Sequence, residues 1–129
     1  MGRTTLRITD KELLGDKEYF IEFSSIVDDF VTYGMTEDAF ELYYIIEYGL
    51  SNFNTNGFKY IMEQLRSTGT ASPFSSRNWI DCLNLRNEIY PDKFLTKEEF
   101  IKEFVLDKQE GNKQWYEKYK IVLDLIEKK

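Results

Sequence analysis

Apolar residues recur at three- and four-residue steps along most of this chain. From Lys17 to Tyr33, the residues Tyr19, Phe20, Phe23, Ile26, Val27, Phe30 and Val31 follow that spacing. They predict an amphipathic helix over 17–33, with Asp16 as its N-cap and Gly34 at its C-terminal cap. Thr36, followed by Glu37 and Asp38, predicts a second helix over 36–48 that stops at Gly49. A hydroxyl cap and two acids suit the positive first turn of a helix. This helix is apolar around most of its circumference, so it is expected to be the most buried. A polar loop at 51–56 leads to a helix over 57–66, and STGTASPFSS reads as a loop over 67–76. RNWIDCLNLRNEIY predicts a helix over 77–90, capped by Ser76 and closed before Pro91. Thr96 and Glu99 form a capping box ahead of FIKEFVL, a helix that Gly111 or Asn112 breaks. A final helix over 113–127 carries a stripe at Trp115, Tyr119, Val122 and Ile126, beside Tyr116 and Leu123. The opening RTTLRIT alternates loosely and reads as a short strand or an extended arm. The expectation is an all-α fold, one compact domain over 1–129 of about six helices with that N-terminal arm.

Composition fits this pattern. The chain has 129 residues, enough to bury a core without staples. Ten Phe, nine Tyr and two Trp supply large apolar material, while two Pro and seven Gly leave room for long helices. The single Cys82 has no internal disulfide partner, and a buried structural thiol is the expected state. No apolar run approaches the roughly 20 residues that span a bilayer, and no signal segment opens the chain. A cytoplasmic protein with no membrane association is expected.

The chain contains no histidine. That removes His-based general bases, Ser-His-Asp and Cys-His nucleophile systems, and nearly all transition-metal sites. No catalytic residue, cofactor or metal is expected, and the reading is not an enzyme. Asp28-Asp29 lacks the alternating oxygen ligands and glycine of an EF-hand loop. Two carboxylates alone suffice in glycosidases, but nothing in the sequence fixes an acid pair at a suitable separation.

Charge changes the picture more. Between Glu12 and Tyr48 the chain holds ten acids and one base, Lys17. A balanced solvated surface intersperses both signs. On a helix over 17–33, Glu18, Glu22, Ser25 and Asp29 fall on one face, opposite Phe20, Phe23 and Val27. On the helix over 36–48, Glu37, Glu41, Tyr44 and Tyr48 line one face. Carboxylates ending in two phenols suit a basic partner, since acids pair with Arg or Lys and Tyr supplies rigid contact area. The bland reading is that these are ordinary solvated faces, with Tyr44 and Tyr48 in the core. Arg66, Arg77, Arg86, Lys93 and Lys97 are scattered among acids and form no phosphate-tracking stripe, so direct nucleic-acid binding is disfavoured.

Residues 40–69, FELYYIIEYGLSNFNTNGFKYIMEQLRSTG, join an aromatic helix, a polar loop, an aromatic helix and a Ser-x-Gly end. The stretch resembles the all-α domain-of-unknown-function family that includes the Neisseria DNA-mimic protein. Thr55-Asn56-Gly57-Phe58 stands where that family has Asn-Gly-Gly-Phe. The resemblance implies a helical domain able to form a homodimer. In at least one member it implies an acidic surface that imitates DNA phosphates. Read from the residues alone, Asn56-Gly57 is a turn and Phe58 staples the next helix to the core.

The functional expectation is a small acidic binding protein that sequesters a basic partner, as a DNA-mimic-type inhibitor or a toxin-immunity protein. Glu18, Glu22, Asp29, Glu37 and Glu41 supply carboxylates, with Tyr44 and Tyr48 as anchors. The alternative is a structural or accessory assembly subunit of a phage or mobile element.

Overall fold

The computed structural model describes residues 3–71 and 77–127. In chain order it contains β1 (Arg3–Ile8), α1 (Lys11–Leu14), β2 (Tyr19–Ser24), β3 (Asp29–Phe30), α2 (Glu37–Tyr48) and α3 (Leu50–Asn54). There follow α4 (Gly57–Thr68), β4 (Thr70–Ala71), α5 (Trp79–Ile89), α6 (Lys97–Phe100) and α7 (Gln109–Glu127). The four strands form one antiparallel sheet in the order β3-β2-β1-β4. The fold is therefore mixed α and β, which corrects the all-α expectation, both from periodicity and from the resemblance.

The correction falls on 17–33. That segment is a strand, a turn and a second short strand, and not a helix. β2 pairs along its length with β1, Ile21 opposite Leu6 and Tyr19 opposite Ile8. All six residues of β2 are buried, because both faces of the sheet are covered. Leu6, Ile8, Tyr19, Ile21 and Phe23 face a core with Trp79, Cys82 and Leu83 of α5 and with Phe100, Ile101 and Val105. Phe20 points the other way and stacks on Phe40 of α2, in a core with Phe58, Met62 and Leu65 of α4. A strand buried on both faces reads as a continuous apolar run with no two-residue alternation. Residues 25–28 make the turn, where Asp28 takes a positive φ and Ile26 is 80% exposed. The expected cap Asp16 therefore precedes a strand, and the short α1 is capped by Asp10, which accepts from the backbone of Glu12 and Leu13.

Elsewhere the sequence signals and the structure coincide more closely. Thr36 caps α2 and Gly49 ends it. Thr96 and Glu99 form both halves of a capping box at α6. The expected loop at 51–56 is mostly the short helix α3. Asn78 caps α5 in a box with Asp81, whereas the expected cap Ser76 lies outside the described residues, as does 72–76 of the expected loop. Gly111 lies inside α7 and does not break it. Of the α7 stripe, Trp115 and Tyr119 pack beside α2, while the side chains of Val122, Leu123 and Ile126 lie outside the description.

Between α6 and α7 the helix widens to a π-type turn over Ile101–Val105 and tightens to 3-10 over Leu106–Lys108. Such irregular turns release carbonyls to outside donors. Gly34 donates its N–H to the Phe104 carbonyl at 2.7 Å. Its own carbonyl accepts from Gln109 Nε2 at 2.9 Å and Asn112 Nδ2 at 2.6 Å. A side chain at this position would lie 2.9 Å from Val105 Cγ2, so the approach requires glycine. Gly34 thus latches the segment after β3 to the start of α7.

Candidate functional site

The strand geometry disperses the carboxylates expected on one helical face. Glu18, just before β2, accepts from Arg7 Nε at 2.8 Å and from Arg66 of α4 at 3.3 Å. Burial alone would raise its pKa, but the two arginine hydrogen bonds outweigh burial and hold it below the ordinary glutamate value. Arg66 also bonds Glu37 at the start of α2, so one guanidinium bridges two of the expected site acids. Asp29 accepts from Arg86 Nε at 2.6 Å, with Arg86 buried against Phe104. Glu41 lies one turn beyond Glu37 and is half-buried.

Glu22 is 0% exposed. It sits on the sheet face toward α2, opposite Thr5, where an alternating strand places every second residue. Tyr48 Oη lies 2.7 Å from each of its carboxylate oxygens. Burial pushes the Glu22 pKa up, against hydrogen bonds from Tyr48 and Tyr43 that favour the charged form. The same burial, reinforced by the neighbouring carboxylate, raises both tyrosines. Tyr44 points inward and packs on Tyr48 and Phe58, with ring centroids 5.0 and 5.6 Å away. Glu22 and Tyr44 therefore offer a partner no surface, and Tyr48 is held by Glu22.

What the structure brings together instead is a groove between α2, α7 and the segment after β3, about 530 Å³ in volume. Its walls include Thr32, Tyr33, Tyr43, Glu47, Trp115 and Tyr119. Arg3 of β1 reaches its rim, donating to Tyr43 Oη at 3.3 Å and lying 3.4 Å from Glu47. A second cavity of about 500 Å³ lies across Asn112, lined by Lys17, Glu18, Asp38 and Lys113 among others. Among the described residues, neither lining contains Cys or Ser. Among the described residues no group of three or more Cys, Asp or Glu side chains is placed to hold a metal ion, and no helix is long and apolar enough to cross a membrane.

Sequence reasoning missed Tyr43, Glu47 and Arg3. The Tyr43–Glu47 spacing of four along α2 was a usable signal, since it puts an aromatic ring and a carboxylate on one helix face. Trp115 and Tyr119 stand out in the sequence as part of a helical stripe, with nothing there to assign them to a groove. Comparison with known proteins finds no matching family model, no matching curated protein and no matching solved structure.

Proposed function

We propose that this chain is a non-catalytic binding protein that captures a basic protein partner, whether a DNA-binding protein, a nuclease or a toxin. The observation that carries this reading is the composition of α2, which holds Glu37, Asp38, Glu41 and Glu47 and no base. Glu37, Asp38 and Glu47 are exposed. Arg66 and Arg3 offset this charge only in part. Carboxylates concentrated on one surface attract and orient a cationic partner, mainly by raising its association rate. The chain contains no histidine, the commonest general base and transition-metal ligand, which accords with binding rather than catalysis.

The test is capture of basic proteins from a cell extract by the immobilised chain, with elution in a salt gradient. Reversal of Glu37 and Glu41 to Lys should abolish capture of the proteins that elute at moderate salt, because exposed charge pairs are screened within about 10 Å at 0.1 M. An identical set of captured proteins, eluting at the same salt, would remove the reading.

A further inference from the structure

The groove between α2 and α7 has what a bare acidic patch lacks: its walls are aromatic, with one carboxylate, Glu47, among them. We infer that it receives an arginine side chain of the basic partner, an assignment that rests on the binding reading above and locates its specific contact. A volume of about 530 Å³ lies within the range of small-ligand sites. Tyr33, Tyr43, Trp115 and Tyr119 line it together with Glu47.

The chain's own cations already contact three of the lining aromatic side chains. The Arg3 guanidinium is bonded to Tyr43 and Glu47, and Lys108 Nζ lies 4.5 Å from the Tyr33 ring centroid. Lys118 Nζ lies 5.5 Å from the Tyr119 ring centroid. An aromatic face within about 6 Å attracts a cation. A planar guanidinium can stack on a ring and bond a carboxylate with its edge, which a compact ammonium cannot do. Arg3 is thus an intramolecular competitor at the rim, bound by the same two groups that would hold the incoming arginine.

The test is titration of the full chain with an acetylated, amidated tetra-arginine peptide, with tetra-lysine as the equal-charge comparison. The readout is the indole N–H resonance of Trp115, with Trp79, buried in the opposite core, as internal reference. Tetra-arginine should move Trp115 and leave Trp79 in place. Glu47→Gln should weaken binding by roughly three- to tenfold, as should Tyr33→Leu, an exposed position that leaves the core intact. Arg3→Ala should tighten binding, whereas Lys102→Ala, the same charge change outside the groove, should do so less. An unmoved Trp115, equal binding of tetra-lysine, or equal effects of Arg3→Ala and Lys102→Ala would overturn the assignment. If the peptide misses the groove while the Glu37 and Glu41 reversals still abolish capture, the groove falls and the basic-partner reading stands. If the peptide binds as expected but capture ignores those reversals, the failure lies with the partner reading alone.

Discussion

Tyr48, at the end of α2, holds the buried Glu22 of β2 with its hydroxyl 2.7 Å from both carboxylate oxygens. The contact joins sheet to helix at the point where burial works against the charge. Tyr48→Phe leaves that carboxylate one donor short without changing the ring packing. It should cost about 1–3 kcal/mol in urea unfolding. A loss near zero would mean that another donor replaces the hydroxyl.

Glu22 also sets a pH dependence. Its pKa in the folded chain is above the ordinary value of 4.5, so between the two the folded chain holds the extra proton. Stability from this group therefore falls as pH rises from that value through the elevated one. Glu18, Asp10 and Glu99 have lowered values and act oppositely, losing their contribution as pH falls. Comparing Glu22→Gln with the parent isolates Glu22. The variant should gain relative stability with rising pH and level off once Glu22 is ionised. A pH-independent difference would contradict the assignment.

Two glycines should respond with opposite sign. A Cβ on Gly57 would lie 2.6 Å from both the Asn52 carbonyl oxygen and Tyr44 Oη. Gly57→Ala should destabilise by about 1–3 kcal/mol through overpacking. A Cβ on Gly111 meets nothing within 4 Å, and the residue is helical. Gly111→Ala should stabilise by about 0.5–1 kcal/mol. Thermal and urea unfolding of the two variants, measured side by side, would decide this.

The Asp29–Arg86 pair lies at 2.6 Å, with side chains 32% and 6% exposed. Removing Asp29 strands a buried guanidinium whose remaining hydrogen bond among the described residues is to the Lys93 carbonyl at 2.9 Å. Fully buried pairs cost about 3–5 kcal/mol when broken, and the exposure of Asp29 brings Asp29→Asn to about 2 kcal/mol. Replacing both partners by apolar residues should recover part of that loss, which a double-mutant cycle would measure.

Cys82 is 2% exposed, and burial pushes its thiol pKa up to about 11. Native protein should react with thiol reagents only at the rate of unfolding, and denaturant should release a single fast thiol. Rapid labelling of the native chain would place Cys82 at the surface.

How much of this was legible depended on burial geometry. α2 was readable because Thr36, Glu37, Asp38 and Gly49 punctuate it and its residues are good helix formers. Residues 19–30 were misread because a doubly covered strand loses its alternation. Ile26 and Val27, at the turn tip, then supplied a false helical spacing. The missed signal was chemical: Tyr19, Phe20, Ile21 and Phe23 favour strands, and Ser24-Ser25 and Asp28-Asp29 favour turns. Once the helix became a hairpin, Glu18, Glu22 and Asp29 could no longer share a face. The groove was illegible because it joins residues 32–47 to 112–119, and no local pattern reports such a meeting.

The Gly34 latch has a consequence in time as well as in space. During synthesis, β1 and β2 can pair early, since only a short connection separates them. Gly34 cannot engage Gln109 and Asn112 until about 75 further residues have been made. Until α7 arrives, Tyr33, Tyr43 and Glu47 stand on one side of an unbuilt groove. A nascent or C-terminally shortened chain should therefore complete its sheet yet fail to recognise what the finished protein binds.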